Sequence, residues 1–292
     1  MTSRRKFLAQ AGLLSAGILA APKLLLAAPP KKVGLQLYTL RNMIAKDVKG
    51  NIEKVAKAGY GEVETYGYSK AGGFWGMDAK SFSGLLKANG LTTSSGHFGL
   101  DDYFVHDKTD SLMAYIEAAN ITGMEYIIVP SINGEVLKSA DQFKAVAAKM
   151  NKAAEICKKS GLKLGYHNHN FEWKPIDGTT FYDVLINETD PALVNMEMDM
   201  YWVVRAGQDP IKLFEAHPGR FALCHLKDMD KTSDNLNTEI GNGKIDFKTI
   251  LKKAKLAGLQ HFIVEQENFT NIDPFVSIAQ SSAYVLNQLD VQ

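Results

Sequence analysis

The sequence predicts one α/β domain, a single (β/α)8 TIM barrel preceded by a cleavable signal segment. Three observations predict it. Short β-rich runs alternate eight times with helical patterns, as parallel βαβ units do. About 264 residues follow the signal, close to the roughly 250 of one such barrel. Polar, reactive side chains gather at the C-terminal ends of the β-rich runs, where this fold builds its sites. A doubly wound open sheet is the alternative, but no glycine-rich phosphate loop follows the first run.

The chain opens "TSRRKFLAQAGLLSAGILAAPKLLLAAPP", with Arg4 and Arg5 before an apolar run and small residues before Pro29. That is a secretory layout of twin-arginine type over residues 1–28, leaving 29–292 as the barrel. Read as a membrane anchor instead, the run is weakened by Gly12 and Gly17 and cut by Pro22 and Lys23. The expected location is the periplasm or another exported compartment, with membrane contact only during export.

The β-rich runs fall at 33–38, 61–65, 91–97, 126–129, 162–167, 193–199, 221–226 and 261–265. Helical patterns separate them: "AKDVKGNIEKVAKAG", "DAKSFSGLLKANG", "KTDSLMAYIEAANITG", "SADQFKAVAAKMNKAAEICKKSG", "TTFYDVLINE", "QDPIKLFEAH" and "DFKTILKKAKLAG". An eighth, 273–289, closes the chain. Gly59, Gly90, Gly123, Gly161 and Gly258 end helices, where a left-handed cap suits glycine.

The formal charge is +1, from 33 basic and 32 acidic residues, so no basic face speaks for nucleic acid as a partner. Cys157 and Cys224 fall in a helix and a strand and read as packed free thiols.

Read around the barrel, the strand ends give Gln36 and Tyr38, then Glu64 and Tyr66, His97, Ser131, His167 with His169, Asp199, His225 and Glu265. Neighbouring strands lie about 4.8 Å apart, so inward side chains of the last four can meet at one ion. Two imidazoles and two carboxylates form a mixed N/O set that suits Mn²⁺, Zn²⁺, Co²⁺ or Fe²⁺ better than Mg²⁺. His167, Asp199, His225 and Glu265 are the expected ligands, with His169 an alternative to His167. Alternation then turns Glu62, Lys163 and Glu197 inward at the floor, where Lys163 is expected to pair with one of the two glutamates.

"YHNHNFEW", "MDMYWVVRAG", "CHLKDMD", "GNGKIDFKTIL" and "IVEQE" together resemble the xylose isomerase-like sugar isomerase/epimerase superfamily, over nearly the whole mature chain. That group includes keto-sugar 3-epimerases, inosose dehydratase and hydroxypyruvate isomerase, with endonuclease IV more distant. The resemblance implies a metal held by Glu, Asp, His and Glu from the last four strands. Asp199, His225 and Glu265 match the last three; His167 or His169 stands where the first glutamate is expected. Glu172 matches the family's other glutamate, just past the fifth strand, and homo-oligomers are expected by the same likeness.

The reading is a metal-dependent isomerase, epimerase or lyase acting on a small-molecule sugar, a keto-sugar or 3-keto-glycoside, through an enediolate. Glu172 and Glu265 are the candidate acid/base pair, with His169 and His97 as further proton carriers. Gln36, Tyr38, Glu64, Trp75, Trp202 and Lys231 are the candidate substrate contacts. The competing readings are a sugar-binding barrel without catalysis and, less favoured, a nuclease like endonuclease IV. His106, His217 and His261 are read as ordinary polar residues.

Overall fold

The computed structural model describes residues 32–291; the expected signal segment lies outside them. Within the unit 31–292 the strands close into one parallel barrel. They are β1 (Gly34–Gln36), β2 (Glu62–Tyr66), β3 (Thr92–His97), β4 (Tyr126–Val129), β5 (Lys163–His167), β6 (Val194–Asp199), β7 (Phe221–Leu226) and β8 (His261–Val264). Each pairs with its sequence neighbour, and β1 closes on β8.

The outer helices are α1 (Val48–Lys57), α2 (Ala79–Ala88), α3 (Asp110–Thr122), α4 (Ala140–Lys159), α5 (Phe181–Glu188), α6 (Pro210–Ala216), α7 (Phe247–Leu251, resuming at Ala254–Ala257) and α8 (Pro274–Gln288). Side-chain caps start most of them: Asp78 accepts from the Ser81 amide, Ser139 from Gln142 and Thr180 from Asp183. The five glycines expected to end helices all take positive φ. Among the described residues no helix is long and apolar enough to cross a membrane.

Two cores result. The larger joins the outward faces of the strands to the helices, with Leu35, Val63, Ile127, Leu164, Met198 and Val264 fully buried. The smaller, Tyr126, Ile128, Ala222, Leu223 and Ile263, includes the apolar plug inside the barrel. Gly165 makes room for it: a Cβ there would lie 2.6 Å from Ile128 Cδ1. Cys157 and Cys224 are buried free thiols, as expected.

Three features depart from the sequence reading. The first strand stops at Gln36, and Leu37–Leu40 coils into a 3-10 turn capped by the Gln36 side chain. Short helices Asp101–His106 and Met200–Arg205 follow β3 and β6, outside the eight helical patterns of the sequence. Lys163 pairs with neither Glu62 nor Glu197. It sits at the open N-terminal end of the barrel, donating to the Tyr126 hydroxyl (3.0 Å) and lying 3.6 Å from Glu125, with its side chain 49% exposed. Only its long stem is internal, so the cation reaches water, as lysines at a rim do.

Candidate active site

Register decides what meets at the C-terminal end. His167 lies beside Glu197, Asp199 beside His225, and Tyr66 beside His97. Irregularities between Glu62 and Glu64, and between Met196 and Glu197, shift two pairings by a residue. The outcome is two linked layers of ionisable side chains above the apolar plug.

The lower layer is a network of ionisable side chains in which one oxygen of each carboxylate is bonded, while Glu64 Oε1 and Glu197 Oε1 have no hydrogen-bond partner in the protein. Glu197 Oε2 lies 2.8 Å from His97 Nε2 and 3.0 Å from His167 Nδ1. Glu64 Oε2 accepts from Gln36 at 2.7 Å and lies 2.7 Å from His225 Nε2 and 3.2 Å from His97 Nε2. Burial pushes the Glu64 carboxyl up, but His97 and His225 outweigh it and hold the group well below the carboxylate range. Burial likewise pulls His97 down, yet Glu64 and Glu197 raise it to about 10. Burial, with Glu64 adding to it, pushes Glu197 up to about 7. Glu197 was placed at the barrel floor by the sequence reading; it belongs instead to this layer, binding His97 and His167.

The upper layer converges on one point beneath the cavity. His167, Asp199, His225 and Glu265 each present a donor atom within 4.8 Å of the others, and all are buried. His97, His167, Glu197 and His225 form a second such group. Asp199 Oδ2 has no hydrogen-bond partner in the protein, while His167 Nε2, His225 Nδ1 and Lys227 Nζ each stand 3.9 Å away. A buried carboxylate oxygen left this way costs about 1–3 kcal/mol or more unless something else satisfies it. That orphan, the two imidazoles and the spacing fit a divalent ion with ligand bonds of about 2.0–2.2 Å. Burial keeps His167 neutral, which leaves Nε2 free to ligate.

Two side chains orient this layer. Asn168 braces Asp199, donating to its carbonyl and accepting from its amide, both at 3.2 Å. Lys227, fully buried, lies 3.2 Å from Glu265 Oε2 and pairs with Glu267. Its ammonium also faces the Tyr201 and Trp202 rings at 5.4 and 5.2 Å. Burial pushes Glu265 up, but Lys227 and His225 outweigh it and keep the group anionic. The sequence reading overlooked Lys227 and chose Lys231. Alternation held the signal, since Lys227 is two residues beyond inward-facing His225. Lys231 is exposed in the following loop and does not line the cavity.

The loop "GNGKIDF" has a structural task. Asp228 accepts from the amides of Gly241 (2.9 Å), Gly243 (3.0 Å) and Ile245 (3.1 Å), fixing the chain next to Lys227. Any Cβ on Gly243 would collide with Asp228 and the Met229 carbonyl.

Over these layers opens a cavity of about 510 Å³. Tyr38, Tyr66, His97, His167, His169, Trp202, Glu265 and Glu267 line it, with Pro130 and Ser131 opposite Glu265 across the barrel. Tyr38 and Trp202 are thus at its wall. Gln36 and Glu64 lie beneath, in the lower layer, bonded to one another. Trp75 does not line it and packs behind Tyr66 at 5.2 Å. Glu172 is also absent from the wall. It is fully buried behind His169, accepting from the His169 amide at 2.9 Å and the Tyr166 hydroxyl at 2.8 Å, and burial pushes it up to about 7. His169 does reach the cavity, held neutral because burial, with Lys227, lowers it to about 4.

Comparison with known proteins fits this arrangement. A family model described as xylose isomerase-like TIM barrel matches residues 52–288. Inosose dehydratase from Geobacillus thermodenitrificans is 23% identical over 267 residues, 80% of this chain and 87% of that protein. Inosose dehydratase from Clostridium perfringens is 24% identical over 63% of this chain and 72% of that one. A crystal structure of a sugar phosphate isomerase/epimerase from Parabacteroides distasonis superposes with a TM-score of 0.81 at 28% identity, covering 91% of this chain and 97% of that one.

Proposed function

This chain belongs to the xylose isomerase-like TIM barrel family, and we propose that it is an exported, divalent-metal-dependent lyase or isomerase/epimerase acting on a keto-sugar or 3-keto-glycoside. One observation carries the reading: His167, Asp199, His225 and Glu265 converge under an open cavity with Asp199 Oδ2 unpartnered. The dehydratase and isomerase relatives support sugar chemistry of the isomerase or lyase kind. Export rests on the twin-arginine pattern of residues 1–28.

His167, Asp199, His225 and Glu265 would hold the ion, with Mn²⁺, Zn²⁺, Co²⁺ or Fe²⁺ favoured by the mixed N/O donors. Bound there, it would act as a Lewis acid on a carbonyl and the adjacent hydroxyl oxygen, acidifying the C–H between them. Glu265, anionic and at the cavity floor, takes that proton. His169, neutral and lining the cavity just beyond β5, is the second proton carrier. Glu172 and Tyr166 fix the His169 backbone rather than meeting the substrate. Return of the proton to the other face or neighbouring carbon epimerises or isomerises. In a 3-keto-glycoside, the C2–H electron pair instead forms the C1–C2 double bond. The C1–O pair then leaves with the aglycone, which takes up a proton. No Arg or Lys lines the cavity among the described residues, so the substrate is read as unphosphorylated.

Proton exchange tests the reading directly. Incubated in D₂O with methyl 3-keto-β-glucoside and ketohexoses, the Mn²⁺-loaded protein should exchange the proton beside the carbonyl, and release methanol if it eliminates. Neither exchange nor release with any of these sugars would leave the barrel as a sugar-binding protein.

A further inference from the structure

Beside the main cavity lies a second one of about 370 Å³ that the reaction above does not use. Its wall is apolar: Ile132, Leu137, Phe143, Phe171, Ile176 and Phe181. Ser131 belongs to both cavities, so the two share a border at the end of β4. The other shared wall is a ring pair. Phe171 faces the second cavity and stacks on His169, which faces the first, with centroids 5.9 Å apart and planes 21° apart. Phe171 is 40% exposed despite its apolar ring, so the face is open to a ligand. Lys174 stands at the rim.

The main cavity already has the size and mixed polarity for one sugar ring, within the usual range for ligand pockets. In the adjoining chamber the side chains are aromatic and aliphatic apart from Ser131 and Lys174, so a flat ring with few hydroxyls suits it. We propose that it is a leaving-group subsite, binding an aromatic aglycone attached to the sugar held in the main cavity. This rests on the sugar reading above and sharpens it. The substrate class becomes aryl glycosides rather than free monosaccharides, and the border at Ser131 and Phe171 is where the glycosidic oxygen crosses. Flat rings there stack on Phe171 and bury against Ile132 and Leu137, gaining more from leaving water than a hydroxylated second sugar would.

Binding of unreactive glycosides isolates the subsite from catalysis. Calorimetry compares 2-naphthyl β-glucoside with methyl β-glucoside on the metal-loaded full chain. The wild type should bind the naphthyl compound at least about tenfold more tightly, the effect of moving an aromatic ring out of water. Gly134 lines this cavity, and a Cβ built on it meets nothing within 4 Å, so Gly134→Phe fills the space without a backbone clash. That variant should lose the naphthyl preference and bind the methyl compound unchanged. Ile176→Phe, filling the same space from another loop, should do likewise and serves if Gly134→Phe folds poorly. Equal binding of both glycosides by the wild type, binding of neither, or a preference that survives both variants overturns the subsite. Because neither compound carries a 3-keto group, a failure of the proton-exchange test leaves this ratio readable, so the two ideas can fail separately.

Discussion

At the N-terminal end of the barrel, His261 meets Glu62 at 3.1 Å and Lys163 meets Tyr126 and Glu125. At the C-terminal end, Glu64, Glu197, Asp199 and Glu265 are packed with three histidines and Lys227 in the interior. Both ends contain pairs of opposite charge, yet they differ in what is left over. Below, each cation has a local partner and a path to water. Above, Asp199 Oδ2, Glu64 Oε1 and Glu197 Oε1 are buried without a hydrogen-bond partner in the protein. Folding does not tolerate such atoms without a reason, because each forfeits its solvation. Charge at the lower end serves architecture; at the upper end it is held ready for a ligand.

The most severe way to break this contrast is to remove a donor from the upper end. Asp199→Ala and His225→Ala should each reduce bound transition metal from about one ion per chain to a trace, and lower kcat/KM by ~10³-fold or more, about 4 kcal/mol. Elemental analysis beside the D₂O assay reads both. Retained metal in both variants would sink the site.

Lys227→Met should come next. It strips the cation from Glu265, Glu267 and Asp199, and breaking a buried pair from one side costs roughly 3–5 kcal/mol. The loss should be largest in EDTA and partly recovered with Mn²⁺, which can neutralise the same oxygens. Denaturant unfolding with and without metal measures it, and an equal loss in both conditions would separate Lys227 from the ion.

A smaller effect is expected from Gly243→Ala, whose added methyl group forces Asp228 or the Met229 carbonyl aside. Overpacking of this kind costs typically about 1–3 kcal/mol. Turnover should fall with it, since the loop positions Lys227, while metal content stays near wild type.

The lower end sharpens the comparison by responding least. Burial lowers the His261 imidazole, but Glu62 outweighs it and raises the folded-state value above the unfolded one, near ~6.5. Its contribution is therefore full below ~6.5 and lost as pH rises through the raised folded-state value. His261→Gln should cost less than about 1 kcal/mol at acid pH, fading as the buffer becomes alkaline, with metal content and turnover untouched. A change in metal content would mean that the two ends are not separate.

Much was legible from residue order alone. Short β-rich runs, helical patterns and glycine stops specified eight strands and eight helices, because those signals act within one or two turns of chain. The fold rule then pointed to the strand ends, and alternation put His167, Asp199, His225 and Glu265 on one side. Where the reading failed, the deciding contact was between distant residues. Lys163 and Lys227 both follow the inward alternation, yet one ends in water and the other between two aromatic rings and three carboxylates, according to their height along the barrel axis. Glu172 stands a few residues from His169, but the turn after β5 folds its carboxylate back onto the His169 amide and away from the cavity. The second chamber is written nowhere in the local pattern: Ile132, Phe143, Phe171 and Phe181 come from four segments that only the closed barrel brings side by side. Residue order determines which chemistry is available at the strand ends, through short-range conformational preference. Which groups are paired off and which stay open to a ligand is set by packing, because desolvation and Coulomb terms depend on three-dimensional distance.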